Sequence, residues 1–213
     1  MIGDAVVLVS GGLDSTTLVY WLSQQGVGVL PLLLDYGQHC AQTEYETATR
    51  VLPKEIASRI QRLDISSIYA GSPSRLINEA DLWTERVSSA DMYLPYRNLL
   101  FLSTAAAFAQ AHGIGRVYTA FINSNHALEI DCSSAFFDRL SDLLADYGGV
   151  KIEMPFREFS KHEVARLAAD LGVPIGLTYS CQISASTPCG ACPNCVERLE
   201  ALEALARDAS KHT

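Results

Sequence analysis

Apolar positions in this chain fall into unbroken blocks more often than into single alternations. Residues 5–9 read Ala-Val-Val-Leu-Val and residues 29–34 read Val-Leu-Pro-Leu-Leu-Leu. Such runs mark strands buried on both faces of a parallel sheet. Between them, residues 16–25 have the length and composition of a helix, and Gly26 is its stop. A strand–helix–strand opening implies parallel pairing through a right-handed crossover. Residues 42–59 are helical in pattern but broken at Pro53, and residues 60–65 form a third strand. Residues 66–95, with Gly71, Pro73 and Pro95, predict a long loop holding a short helix near 76–80. The alanine-rich run 98–111 predicts a helix buried on most faces, ended by Gly113 and Gly115. A strand at 117–121, an amphipathic helix at 133–147 and a short strand at 151–154 follow. Ser160 and Glu163 have capping-box spacing and open a helix to about 171, closed by Gly172 and Pro174. A last helix spans 196–207. Strands alternating with helices predict an α/β fold with helices on both faces of one parallel sheet.

The chain has 213 residues, 48% of them hydrophobic. That length fits a main domain, expected at 1–178, with a small C-terminal element at 179–213. The formal net charge is −8, which disfavours direct nucleic-acid binding, since phosphate neutralisation carries much of that affinity. No apolar run approaches membrane-spanning length. The opening Met1-Ile2-Gly3-Asp4 leads into the first strand and lacks the basic start of a secretory signal. A cytoplasmic location without membrane contact is expected.

The densest local chemistry is Ser10-Gly11-Gly12-Leu13-Asp14-Ser15, where the first strand passes into the first helix. Glycines let a backbone approach a phosphate closely, and the unpaired N–H groups of the next helix favour an anion. Ser10, Ser15 and Thr16 add hydroxyls. The loop lacks the lysine of the Gly-Lys-Ser/Thr nucleotide motif and carries Asp14 instead. A carboxylate beside a polyphosphate suits a Mg²⁺ ligand. The motif resembles the PP-loop of the ATP pyrophosphatase superfamily, which cleaves ATP between the α and β phosphates. The alternative is a serine-glycine turn with no ligand. Ligands of open parallel sheets sit beyond the carboxyl ends of the strands. That rule gathers residues 10–15, 35–38 and 123–131 into one crevice.

Four of the six cysteines, Cys181, Cys189, Cys192 and Cys195, lie between 181 and 195. Two overlapping Cys-x2-Cys steps let neighbouring thiolates turn onto one ion, and a four-thiolate shell is the composition of a structural zinc site. An iron–sulfur cluster is the rival, although ferredoxin runs place the fourth cysteine downstream, where this chain has Leu199. Reduced thiols without a ligand are the third reading.

The ordered motifs Asp35-Tyr36-Gly37-Gln38, Pro95-Tyr96-Arg97-Asn98, Asp131-Cys132, Ser160-Lys161-His162-Glu163 and the four cysteines resemble the 7-cyano-7-deazaguanine synthase family of the queuosine and archaeosine pathways. The resemblance covers nearly the whole chain. It implies a Rossmann-like fold of the adenine nucleotide alpha hydrolase type, and an ATP-dependent carbon–nitrogen ligase. Such an enzyme takes 7-carboxy-7-deazaguanine, ATP with Mg²⁺ and ammonia through an adenylate and an amide to a nitrile. Carried over by position, Val9, Ser10, Gly11, Gly12, Leu13, Asp14, Ser15, Thr16 and Leu34 would bind ATP. Tyr36, Gln38, Arg97, Asn98 and Asp131 would bind the substrate, and Asp14, Arg97 and Lys161 would serve catalysis. Arg97 could also be a surface arginine, Lys161 a solvated lysine and Asp131 a helix cap. A homodimer is expected by analogy with family members.

The chain also departs from the family pattern. Tyr96 stands where glycine is usual. In the base-reading stretch 124–133 only Asp131-Cys132 survives, with Ser133 in place of arginine. Glu44 is displaced relative to the family's glutamate after Gln38. These changes suit a divergent paralogue, similar to homologues in bacterial antiviral gene sets. Such a paralogue would stop at the amide or join the deazapurine to a protein amine. A non-catalytic zinc-containing binding module is the reading from another class.

Overall fold

The computed structural model describes residues 3–81, 83–122, 133–185 and 187–210. Five strands, β1 (Ala5–Leu8), β2 (Val29–Asp35), β3 (Gln61–Asp64), β4 (Arg116–Tyr118) and β5 (Lys151–Glu153), form one parallel sheet ordered β3-β2-β1-β4-β5. Among the described residues seven α-helices accompany it: α1 (Leu13–Gln24), α2 (Ala41–Val51), α3 (Lys54–Ala57), α4 (Arg97–Ala111), α5 (Ser134–Gly148), α6 (Lys161–Asp170) and α7 (Pro193–Ser210).

The unbroken apolar runs have a direct cause. In β1, Val6 faces α4 and α5, whereas Val7 faces α1 and α2. In β2, Leu30, Leu32 and Leu34 join the first layer, and Val29 and Leu33 the second. Successive side chains point to opposite faces, so a strand covered on both must be apolar throughout. Ala105, Ala106 and Ala109 let α4 lie close over β1 and β4. Parallel registers, such as Val6 beside Leu30 and Val117, bring the carboxyl ends of β1, β2 and β4 to one edge.

A third apolar cluster lies at that edge. Tyr36, Cys40, Tyr69, Leu76, Met92 and Leu94 pack there with Tyr179, Cys181, Ile183, Cys192 and Cys195. The 66–95 loop and the cysteine segment thus share one core beside the strand ends. A fourth cluster joins Leu13 of α1 to Ala165 and Ala168 of α6 and Ala201 of α7.

The structure corrects several expected boundaries. The first helix begins at Leu13 rather than 16, so Asp14, Ser15 and Thr16 lie in its first turn. The expected strand 117–121 runs only from Arg116 to Tyr118, and the last helix extends to Pro193–Ser210. The helix expected near 76–80 is a single turn. Ile77 and Asn78 both donate to Ser74 O at 3.0 Å, and the Asn78 side chain bonds Ser72 O at 2.7 Å. An asparagine that bonds a nearby backbone carbonyl in this way competes with helix propagation. Ser133 caps α5, its hydroxyl accepting from Phe136 N–H at 3.2 Å. No helix among the described residues is long and apolar enough to cross a membrane.

Candidate functional site

The turn from β1 into α1 has the form that a phosphate cradle needs. Gly12 is the N-cap residue and supplies no side-chain cap, which leaves the first N–H groups of α1 open to a ligand. Gly11 has φ +71, and a Cβ there would stand 2.8 Å from Ala48 N and 2.9 Å from Glu44 O. Glycine is required here by backbone conformation and by the close approach of α2. Ser10 and Ser15 hydroxyls sit 3.4 Å apart. The longer bonds Ser10 N to Ser15 Oγ (3.3 Å) and Gly12 N to Ser10 Oγ (3.4 Å) keep both hydroxyls in the turn.

Asp14 points two different ways. Its Oδ2 is 2.7 Å from Lys161 Nζ, with side chains only 23% and 11% exposed. Its Oδ1 is buried without a hydrogen-bond partner, as is Thr16 Oγ1. An unmatched carboxylate oxygen costs free energy unless a ligand completes it. That oxygen at the mouth of a phosphate cradle fits a Mg²⁺ ion arriving with ATP. Lys161 reaches Asp14 across 147 positions because the Ser160–Glu163 capping box starts α6 at that point.

Val9 and Leu34 are buried on opposite faces of the sheet beneath the crevice. Leu13 is fully buried against α6 and α7, so only its backbone faces the cradle.

The end of β2 carries a second constellation. Tyr36 is buried, tilted against Phe101 with ring centroids 5.0 Å apart and edge-on to Tyr69. Burial pushes its phenol well above the usual range, with Glu44 adding to the rise. Gln38 is 3% exposed. Its Oε1 accepts from Tyr36 N–H at 2.9 Å, and its Nε2 donates to Leu34 O at 3.2 Å and to Glu44 Oε2 at 2.9 Å. Gln38 therefore clamps its own loop. Asn98 is buried in the first turn of α4, and Arg97 beside it is half-buried, close enough to act on Tyr36 and Glu44. Tyr96 precedes them with φ +57, a left-handed conformation unusual for a tyrosine, and is exposed. Asp131 lies outside the described residues, as do Cys132 and most of 124–133.

The four cysteines converge as their spacing implies. One sulfur from each of Cys181, Cys189, Cys192 and Cys195 lies within 4.8 Å of the others. Ser184 and Cys189 N–H groups donate to Cys181 Sγ at 3.4 Å, and the Cys192 N–H donates to Cys189 Sγ at 3.2 Å. The Cys192 thiol and these N–H groups pull Cys181 toward thiolate, whereas Cys192 is pushed up beside it. Four sulfurs this close, ringed by N–H donors, fit one cation that would allow all four to ionise. About 2.3 Å from zinc to sulfur places tetrahedral ligands roughly 3.8 Å apart.

Three residues outside the sequence prediction tie these parts together. Tyr179 N–H donates to Gly11 O at 3.0 Å, and its phenol bonds Ser184 O. Arg198, from the turn of α7 just after Cys195, donates to Thr178 Oγ1 at 2.6 Å and Ile175 O at 2.7 Å. Glu44 had a legible signal. It falls three before Thr47 and four before Ala48, on the buried stripe of α2. The contacts of Tyr179 and Arg198 depend on long-range docking and leave no local mark.

Comparison with known proteins agrees with this geometry. The model of the family described as "Queuosine biosynthesis protein QueC" matches residues 4–206. The chain is 32% identical over 206 residues to a 7-cyano-7-deazaguanine synthase of Caldicellulosiruptor bescii, covering 93% of this chain and 92% of the relative. It is 34% identical over 214 residues to the enzyme of that name in Methanoregula boonei, covering 96% of each. Among solved structures, the U34-tRNA thiolase NcsA of Methanococcus maripaludis, described with its [4Fe-4S] cluster, superposes with a TM-score of 0.56. Its identity is 13%, over 98% of this chain and 67% of that one. A predicted tRNA methyltransferase subunit from Methanocaldococcus jannaschii gives 0.51 at 15% identity, over 78% and 74%. At those identities the structures speak for the fold alone, which is the expected α/β one. The family match and the relatives spanning nearly its whole length decide the matter: the chain belongs to the QueC family of 7-cyano-7-deazaguanine synthases.

Proposed function

We propose that this chain uses ATP to adenylate 7-carboxy-7-deazaguanine, lets ammonia displace AMP to give the amide, and uses a second ATP to reach 7-cyano-7-deazaguanine. The observation carrying this reading is Asp14, with one oxygen on Lys161 and the other unmatched at the phosphate cradle. A carboxylate is a poor electrophile, and adenylation supplies a leaving group. The protein's share is positioning and charge stabilisation. Open N–H groups of α1 and the Ser10 and Ser15 hydroxyls would hold the outer phosphates. Asp14 would hold Mg²⁺, which when bound neutralises phosphate charge. Lys161 would pass from Asp14 to a phosphate oxygen as pyrophosphate leaves. Arg97 would offer a two-pronged donor to the substrate carboxylate, while Tyr36, Gln38, Asn98 and Asp131 shape the base site. The four cysteines would hold a structural Zn²⁺, because the sulfurs gather closely around one point.

A second reading keeps the adenylation and changes the acceptor to an amine of a protein, or stops at the amide. It is favoured by the exposed Tyr96 beside Arg97 and by Ser133 serving as a helix cap where the family pattern has arginine. Purified protein given the deazaguanine acid, ATP, Mg²⁺ and ammonium is expected to release AMP and pyrophosphate and form the nitrile. Asp14→Asn should lower turnover by about a hundredfold or more while leaving the cysteine-bound metal in place. No substrate-dependent AMP would overturn the reading. An amide or a protein conjugate as final product would select the second.

A further inference from the structure

Glu44 is a carboxyl that neither the phosphate cradle nor the cysteine cluster uses. It stands in the first turn of α2 and turns toward the carboxyl end of β2. Its position is fixed by Gln38 Nε2, 2.9 Å from Glu44 Oε2, and Gln38 is fixed in turn by Leu34 O and the Tyr36 N–H. The carbonyl oxygen of the same residue packs against Gly11. Glu44 therefore sits where the ATP cradle meets the Tyr36–Arg97 side of the crevice. The charged and titratable groups facing it are Asp35 and Tyr36 from the end of β2, Cys40 from the turn before α2, and Arg97 from α4. Burial keeps Tyr36 and Cys40 protonated, their pKa values raised. Neither can take a proton at neutral pH.

We propose that Glu44 is the base that removes protons from the nitrogen nucleophile. The proposal rests on the adenylation reading and deepens it. When ammonia attacks the acyl adenylate, a C–N bond forms and the C–O bond to AMP breaks. AMP leaves with the electron pair, and nitrogen sheds one proton to become the amide. Going on to the nitrile, nitrogen sheds one proton as the amide oxygen is adenylated and its second as AMP leaves again. Glu44, half-buried rather than sealed in the core, accepts these protons in turn and passes each on toward solvent.

Burial, opposed by the bond from Gln38, by Cys40 and by Arg97, holds Glu44 up at about 7. A base poised there is ionised often enough to act and basic enough to matter. Asp35 is the poorer candidate, because its Oδ2 is held by the Arg62 cation at 2.6 Å and its Oδ1 accepts from Gly37 N–H at 3.1 Å.

The test separates the half-reactions in wild-type protein and in Glu44→Gln and Glu44→Asp. Substrate-dependent ATP–pyrophosphate exchange needs no ammonia; amide and nitrile formation does. Glu44→Gln should keep exchange within about threefold of wild type and lose product formation by about a hundredfold. The acid limb of the wild-type pH profile near neutrality should vanish, and Glu44→Asp should recover part of the rate. Exchange and product falling together would make Glu44 a loop-holding residue and overturn the proposal. Full product formation by Glu44→Gln, or an unchanged acid limb, would overturn it too. Absence of exchange in the wild-type protein would remove the adenylation reading itself and this proposal with it.

Discussion

Gly11 and Gly26 both hold a positive φ, at +71 and +75, yet they answer to different constraints. Nothing lies within 4 Å of a Cβ built on Gly26, whereas one on Gly11 would strike backbone atoms of α2. Gly26→Ala should therefore cost only the left-handed penalty, about 1–2 kcal/mol. Gly11→Ala should cost more, because Ala48 N and Glu44 O cannot yield without moving α2, and it should abolish ATP binding. Denaturant unfolding and nucleotide calorimetry on the two variants check this. Equal destabilisation with ATP binding intact would mean that α2 does not limit the cradle. Residues of this kind were legible beforehand because the cradle is local: strand end, glycines, hydroxyls and helix start adjoin in the sequence. For Glu44 the sequence shows only its place on the buried stripe of α2; its part in the site depends on α2 docking beside both Gly11 and Gln38.

Among elements, α6 shows how a short sequence signal fixes a distant contact. Ser160 N–H and Oγ–H donate to Glu163 Oε2 at 2.8 and 2.7 Å, and Ser160 Oγ accepts from Glu163 N at 3.3 Å. This box sets where the helix begins, and so where Lys161 projects toward Asp14. The Ser160 backbone N–H first, then its hydroxyl, hold the Glu163 carboxyl below its ordinary range. A carboxyl lowered in the folded state stabilises it above the unfolded value, and that contribution fades as pH falls through the lowered folded value. Glu163→Gln should accordingly flatten the acid side of a melting-temperature profile, with little change in its slope at neutral pH. An unchanged acid slope would mean that the box contributes nothing by its charge. The strands and this cap were legible because both-faced burial and capping chemistry leave periodic or local marks. The expected helix at 76–80 failed because tertiary contacts compete there. Leu76 is drawn into the core with the cysteines, and Glu79 Oε1 accepts from Ala185 N–H at 2.9 Å.

At the scale of the whole molecule, the cysteine cluster and the phosphate cradle form one mechanical unit. The segment leading into Cys181 donates from Tyr179 N–H to Gly11 O, and Arg198 holds the preceding residues from the far side of the cluster. His39 Nε2 meets Gln182 O at 3.1 Å, and Thr43 Oγ1 donates to Ala185 O at 2.7 Å. The same segment is thereby bound to the β2–α2 side of the crevice as well. Without a cation, four adjoining sulfurs cannot all remain ionised, and the turns keep only their own hydrogen bonds and apolar contacts. Metal loss should therefore loosen residues 178–185 and release the bond on Gly11, while the α/β core, built on separate apolar layers, stays folded. Cys192→Ser, or metal removal by chelation, is expected to weaken ATP binding by about tenfold or more, the worth of one net hydrogen bond and the order it imposes. Circular dichroism should still report the helices and sheet. Calorimetry of metal-free protein that returns wild-type nucleotide affinity would show that the cradle holds its shape alone. A collapse of the whole α/β signal would show that the cluster supports the core as well as the crevice. Graded loss, with nucleotide affinity falling before secondary structure, is the outcome that the Tyr179–Gly11 link requires.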